Sequence, residues 1–408
     1  MLRENGAKRH YMAIEHKLPL TEAAIMRLAE VDGKSLLRRH GIAVPRGHLL
    51  GGGDGVAQTL PTWPGFVLKA QLLEGGRGKR GLVRRVAADD EIHGARRLIL
   101  ATLDDADTPL LVEEALPIER EIFVAVRLDG TAQRLELLIA PQGGENVERS
   151  GKILRIALTD AAATRPEAIY AAIASSFPTD LAVRLARYAA RLPDIARQED
   201  LELLEINPLV LTTDGRLVAC DAKVVRDDAA DFRHDAEEFT VSRRLAERGL
   251  TALERAARDK GFQLVEIAGD IVLVTSGAGL AMMMMDLLAD HGLSAACFMD
   301  NLRGAPDETM TERLQIARAL AARSTSNAIV FYIVSASRSL AERIEALADW
   351  VAAEPLHKPL YVCLAAGHAA TRKMTVETAV EKLRALGVAA FADPVAMVKA
   401  LAGAVRGV

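Results

Sequence analysis

The sequence predicts a mixed α/β chain in two parts, an irregular α+β region followed by an open parallel sheet covered by helices. Three observations carry that prediction. Up to about residue 235, strand-like and helical runs mix without a regular period, as in α+β folds. From about residue 263, short and nearly all-apolar runs alternate with amphipathic helical stretches, the pattern of parallel strands buried on both faces. The length of 408 residues suits two or three domains rather than one compact core.

Taken in order, residues 20–40 read as a helix. Thr21 can cap it, Ile25, Leu28, Leu36 and Leu37 recur along it, and Gly41 stops it. Strands follow at 65–72 and 110–114, and 120–127 with 134–140 reads as a hairpin across 128–130. The stretch 201–225 is a clearer hairpin, with 212–215 as its turn. A charged stretch from 235 to 260 reads as exposed helix. In the second part, strands are predicted at 270–275, 294–299, 328–334, 359–364 and 388–391. The helices between and after them fall at 280–291, 308–323, 339–353, 376–386 and 395–405. Such a sheet binds ligands at the carboxyl ends of its strands.

Composition narrows the function. Apolar residues make up 50% of the chain and charged residues 26%, with no signature of disorder. The 51 basic and 55 acidic residues leave a formal charge of −4, and no basic stripe with interleaved aromatics offers a nucleic-acid surface. Cys220, Cys297 and Cys363 are far apart and odd in number, against a disulfide framework or a zinc knuckle. Each sits in an apolar run and reads as a buried structural thiol. The first residues lack the apolar core of a secretory signal, and no run approaches the roughly 18 apolar residues of a membrane span. A cytoplasmic protein with no membrane partner is the expectation.

Three features carry chemistry. Lys69 ends the run Phe66-Val67-Leu68-Lys69, seven residues before Gly76-Arg77-Gly78. Its ammonium can reach phosphate oxygens while the loop's N–H groups close over them, and glycine lets the backbone approach. A surface hairpin with cationic decoration accounts for the same pattern. The second feature is Glu113 and Glu114 at the end of a strand, followed by Glu121. It suits an adenine hinge and a ribose held by an acid, or a solvated acidic edge. The third is Glu205-Ile206-Asn207-Pro208, with Asp221 fourteen residues after Asn207 on the returning strand. Their oxygens can converge on one hard cation such as Mg²⁺, which takes one or two protein oxygens. A turn-flanking Asn and Asp are the ordinary alternative.

Together with Gly33-Lys34-Ser35-Leu36-Leu37, Gly41-Ile42-Ala43-Val44-Pro45, Gln142-Gly143-Gly144 and Ser276-Gly277-Ala278-Gly279, these features resemble the β subunit of succinyl-CoA synthetase. That family comprises the ATP-grasp subunits of NDP-forming acyl-CoA ligases, and the resemblance runs from about residue 28 to the C-terminus. It implies an ATP-grasp fold followed by a flavodoxin-like parallel α/β domain. The expected layout is a polar extension at 1–24, a nucleotide-binding domain at 25–236, a helical linker at 237–262 and a CoA-ligase domain at 263–408. It also implies roles. Lys69, Gly76, Arg77 and Gly78 look like the phosphate cradle, Glu113 and Glu121 like nucleoside contacts, and Leu116 like a neighbouring nucleotide-lining position. Asn207 and Asp221 look like the Mg²⁺ ligands, and Glu205 like the acid beside the point where a phosphohistidine loop receives phosphate. The implied cofactors are Mg²⁺ and ATP or GTP, with CoA and the phosphohistidine supplied by an α-type partner subunit. None of the nine histidines lies in such a loop, and His368, after Ala365-Ala366-Gly367, suits a capping or surface role.

The resemblance weakens in the second part. Ser335-Ala336-Ser337-Arg338 stands where the family has a glycine pair and two aliphatics. Asp300-Asn301-Leu302-Arg303-Gly304-Ala305-Pro306 replaces a glycine-rich turn, and Ser276 replaces an asparagine. Those turns hold the acid substrate at helix N-termini in the family, which makes Ser276, Ala336, Ser337 and Arg338 the candidate substrate residues. Arg303 and Arg338 would suit an acid more negative than succinate, such as a tricarboxylate or a sulfonate, or they face solvent or the partner. The four methionines at 282–285 cannot share one helix face and read as packing. The leading expectation is therefore a β-type subunit of an acid–CoA ligase. A citrate-type CoA ligase subunit and a nucleotide-binding regulatory subunit with a decayed acid site stand as alternatives.

Overall fold

The computed structural model describes residues 26–51, 62–144, 147, 153–235, 238–275, 277–301, 310–335 and 339–407. These fall into two compact units that divide between Glu247 and Arg248.

The first unit opens with strand β1 (Met26–Leu28) and helix α1 (Glu30–Arg39). The sequence reading had one helix over 20–40. Within the described part, Met26–Leu28 is instead a strand, because it pairs antiparallel with β11 (Lys223–Arg226) and buries Leu28 in the main core. Glu30 and Asp32 sit in the first turn of α1 and Arg38 and Arg39 in its last, matching the helix dipole at both ends. Gly41 follows at φ +66, as a helix stop requires.

Two sheets build the rest of this unit. The smaller has the order β2-β5-β3-β4, from β2 (Gly47–Leu50), β3 (Phe66–Ala70), β4 (Val83–Val86) and β5 (Leu110–Glu114). Its core packs Phe66, Leu68 and Val112 against Ile92, Ala95 and Ile99 of α2 (Ile92–Leu103). The larger is a seven-stranded sheet in which β6 (Ile118–Asp129) pairs with β7 (Arg134–Ala140) and with β9 (Leu201–Thr212). Strand β8 (Leu154–Ala157) extends it past β7, and β10 (Leu217–Ala219) and β11 return on β9. Both expected hairpins are present in register. The sequence reading passed over α2 and over α3 (Pro166–Ile173), α4 (Thr179–Ala189) and α5 (Leu192–Gln198). Helix α4 buries Leu181, Ala182, Leu185 and Ala186, an i, i+4 stripe onto the large sheet's core.

In the region read as one charged helix, the chain forms α6 (Thr240–Gly249) and α7 (Ala252–Asp259). Thr251 breaks the run. Its side chain accepts from the Glu254 N–H and the Glu254 carboxylate accepts from the Thr251 N–H, a reciprocal cap that starts a new helix.

The second unit contains a parallel sheet in the order β13-β15-β16-β17, from β13 (Ile271–Thr275), β15 (Ala328–Ser335), β16 (Leu360–Ala366) and β17 (Ala389–Phe391). Helices α8 (Ala278–Asp290), α9 (Met310–Ala321), α10 (Leu340–Ala353), α11 (Val376–Ala385) and α12 (Pro394–Arg406) follow the strands. One apolar cluster forms on each face, with Val274, Ile329 and Ile333 in one and Leu273, Val330 and Tyr332 in the other. The expected strand at 294–299 departs from the reading. Strand β14 (Cys297–Asn301) pairs antiparallel with β12 (Phe262–Glu266), and only one parallel bridge, Ile271 with Ala295, ties it towards β13. Strand β12 was not read; it occupies one edge of β14, while the residues just before β14 meet β13, Ala296 N–H donating to the Ile271 carbonyl at 2.7 Å. A Cβ on Gly269 would stand 2.1 Å from the Ala295 carbonyl oxygen, so the close approach needs glycine. Met284 is fully buried while Met282 and Met283 are exposed, as four consecutive helical residues must divide.

Candidate functional site

A cleft of about 690 Å³ lies within the first unit, between its two sheets, a volume suited to a nucleotide-sized ligand. Strands β3 and β5 contribute Lys69 and Glu113 to its wall, and β6 and β9 contribute Glu121, Glu205 and Asn207. The loop after β3 contributes Gly76, Arg77 and Gly78, and the turn after β10 contributes Asp221. Every first-unit residue given a site role from the sequence, Leu116 included, lines this one cleft.

The loop after β3 closes on itself. Leu82 N–H donates to the Arg77 carbonyl at 3.0 Å and Gly81 N–H to the Gly78 carbonyl at 2.9 Å. Gly76 has φ +74, a conformation open to glycine and strained for other residues. The Arg77 side chain folds back to donate to the Ala70 carbonyl at 3.1 Å. Its Nη2 also lies 2.8 Å from Asp221 Oδ1.

Behind this loop is a buried ionic cluster. Lys69 Nζ stands 2.7 Å from Glu30 Oε1 and 2.9 Å from Glu113 Oε2, and donates to the Cys220 carbonyl at 2.5 Å. Lys34 Nζ reaches Glu30 at 2.5 Å, Glu113 at 2.6 Å and the Cys220 carbonyl at 2.8 Å. Arg77 Nη1 is 2.7 Å from Glu30 Oε2. Burial alone would raise the Glu30 carboxyl, but Lys34, Lys69 and Arg77 outweigh it and hold it well below the usual carboxylate range. Burial lowers Lys69 and Arg77 in turn, and Glu30 with its acidic neighbours overrides that to push both up. All three therefore stay charged in the interior, where an unpaired charge would cost several kcal/mol, of order 3–5.

The sequence reading took Glu113 as a nucleoside contact. The structure places it 2% exposed, with both oxygens on Lys34 and Lys69. Glu30 was not singled out, and Lys34 entered only as part of the Gly33–Leu37 motif, with no role of its own. Their spacing of four on a helix was visible, but only burial shows that such a charged pair needs partners from other strands.

On the opposite side, Asn207 Oδ1 accepts from the Gly144 N–H at 2.6 Å, and Gly143 N–H donates to the Glu121 carbonyl at 2.9 Å. A Cβ on Gly143 would lie 2.9 Å from the Ile122 carbonyl oxygen, which explains the glycine pair. Leu116 is 7% exposed at the cleft edge. Lys79, Arg85 and Lys223 add positive charge to the lining. Cys297 and Cys363 are buried, as expected, and burial pushes both thiols up to about 12. Cys220 differs: it is half-buried and lines the cleft, its thiol pushed up by burial to about 11.

The oxygens of Asn207 and Asp221 line the same cleft as the cations, and hard oxygen donors of this kind fit Mg²⁺. A second carboxylate–imidazole group, Glu199 with His234 and Glu238, is close enough for a cation. The fully buried Arg226 guanidinium pairs with both of its glutamates, at 2.9 Å and 3.0 Å, and so fills the cation's place. Ser276, Arg303, Ala336, Ser337 and Arg338 lie outside the described residues. His368 is exposed, and among the described residues no helix is long and apolar enough to cross a membrane.

Comparison with known proteins agrees with this geometry. Residues 27–211 match the ATP-grasp domain family. The chain is 33% identical over 309 residues to the succinate–CoA ligase [ADP-forming] β subunit of Syntrophotalea carbinolica, covering 71% of this chain and 78% of that one. It is 31% identical over 308 residues to the same subunit of Bacillus pumilus, covering 71% and 79%. Among solved structures, ATP citrate lyase from Methanothrix soehngenii, in complex with citrate and coenzyme A, superposes with a TM-score of 0.59 at 17% identity. It covers 90% of this chain and 95% of that one. That likeness is one of fold.

Proposed function

The chain belongs to the family of succinate–CoA ligase β subunits, built on an ATP-grasp domain, and from that premise we propose that it is the nucleotide- and Mg²⁺-binding subunit of an acid–CoA ligase. The reaction is acid + CoA + NTP ⇌ acyl-CoA + NDP + phosphate. The observation that carries the reading is the meeting, in one cleft, of Lys69, Arg77 and Asp221 from three separate stretches of chain.

Within it, residues 25–236 form the nucleotide-binding domain and 263–408 the acid-handling domain. The base slides between Leu116 and the apolar wall, with Glu121 at the ribose. The Lys69 ammonium, the Arg77 guanidinium and the N–H groups of the 76–78 loop neutralise and orient the phosphates, which is most of what phosphoryl transfer asks of a protein. Asn207 and Asp221 would hold Mg²⁺, which would offset the negative charge of the phosphates. Glu205 faces the point where phosphate passes to a histidine of an α-type partner, which also supplies the CoA site. The acid is a di- or tricarboxylate or a similar small acid, met at the turns carrying Ser276, Ala336, Ser337 and Arg338, with Arg303 and Arg338 favouring the more anionic candidates.

The test is a coupled assay of the chain co-expressed with its α-type partner, scanning ATP and GTP against succinate, malate, citrate and sulfoacetate with CoA. Acid-dependent thioester formation that Lys69→Ala abolishes supports the reading and names the acid. Binding of Mg²⁺–nucleotide without turnover on any acid moves it to a regulatory subunit.

A further inference from the structure

Glu30 lies 39 residues before Lys69 and 47 before Arg77 in the chain, yet its carboxylate is where the two cations meet. Oε1 accepts from Lys34 at 2.5 Å and from Lys69 at 2.7 Å, and Oε2 faces Arg77 Nη1 at 2.7 Å. Glu113 touches Lys69, and Asp221 touches Arg77. Among the described residues, Glu30 alone forms an ion pair with both. Its residue is 2% exposed and still lines the cleft, so it stands directly behind the cationic wall.

We propose that Glu30 is a positioning residue of the cleft, one buried carboxylate that holds Lys69 and Arg77 at the spacing from which they meet the phosphates. The proposal rests on the nucleotide reading above and adds a residue to it. Lysine and arginine side chains each lose on the order of 2 kcal/mol of rotamer freedom when fixed. A carboxylate that fixes them beforehand removes that cost from ligand binding. Glutamine is no substitute. Its single carbonyl oxygen can serve the two ammonium groups or the guanidinium, and its amide N–H₂ then points a donor at the other. One cation loses its anchor whichever way the amide turns.

A merely structural role, in which Glu30 staples α1 to the sheet, predicts a different outcome. Loosening the fold weakens every ligand of the cleft. Loosening the cradle weakens only ligands that carry phosphates. The experiment is calorimetric titration of the full-length chain with Mg²⁺–ADP and, separately, with adenosine. For Glu30→Gln we expect Mg²⁺–ADP to bind about tenfold more weakly, the equivalent of one lost anchor, while adenosine changes by less than about twofold. Equal weakening of both ligands, or of neither, overturns the proposal. If Glu30→Gln does not fold, Glu30→Asp keeps the charge, shortens the reach by one methylene and is read by the same two titrations. A wild-type chain that binds neither these ligands nor Mg²⁺–GDP and guanosine overturns the nucleotide reading and this inference with it. A wild-type chain that binds both, with variants unchanged, overturns the positioning role alone.

Discussion

The two units of the chain bury different things. The first places Glu30, Lys34, Lys69, Glu113 and Arg226 at or below 8% exposure, with partners from several strands and helices. The second packs its parallel strands almost wholly with aliphatic side chains, and Arg313, 4% exposed, is its one strongly buried charge among the described residues. Charge in a protein interior persists only when it is paired. The first unit therefore carries its chemistry in its walls. The second is an apolar frame, its parallel strands buried between two layers of helices.

The largest expected effect is on the first unit. Lys69→Ala or Asp221→Ala should weaken Mg²⁺–ADP binding about 100-fold or more, measured by calorimetry, since under the proposed function each removes a full charge that serves the phosphates or their metal. Comparable binding in either variant would place the ligand elsewhere in the cleft.

The second unit is better broken through packing. Gly269→Ala puts a Cβ against the Ala295 carbonyl oxygen, an overpacking cost of about 3 kcal/mol. Scanning calorimetry should show a lowered transition for this unit while nucleotide affinity stays within about twofold. Parallel loss of both would show that the units do not respond separately.

A smaller difference appears with pH. The Glu30 carboxyl is held below its unfolded value, so its contribution is present above about pH 4.5 and fades as pH falls through its folded value. Lys69 is raised, and its contribution holds below about pH 10.5 and fades as pH climbs further. The difference in thermal stability between wild type and Glu30→Gln should thus be level between pH 6 and 9 and shrink on the acid side. The smallest expected effect is at the exposed methionines. Met282→Gln with Met283→Gln should shift stability by less than about 0.5 kcal/mol, whereas Met284→Ala should cost about 2–5 kcal/mol.

Much of the fold was legible because its signals are local. The apolar runs of β13, β15 and β16 name buried parallel strands without any partner in view, and the Thr212–Gly215 turn announces its hairpin. The misreadings occur where pairing, not propensity, decides. Met26–Leu28 follows a helical pattern yet lies on β11, and β14 takes an antiparallel partner, β12, that the sequence did not announce. The cleft shows the same division. Lys69, the glycine–arginine loop, Asn207 and Asp221 stand out once their spacings are taken together, since each alone has an ordinary reading. Glu30 and Lys34 look like an ordinary helical i, i+4 pair of the kind found on exposed faces.

By itself, the sequence determined the order and type of most elements and the family. Each of these depends on neighbours a few residues away. Only the tertiary structure decided which strands pair across long separations and which charges are buried together. Those outcomes depend on desolvation and on partners from distant segments, and Glu30, Lys34, Lys69, Arg77 and Glu113 acquire their common environment only once the sheets have closed around them.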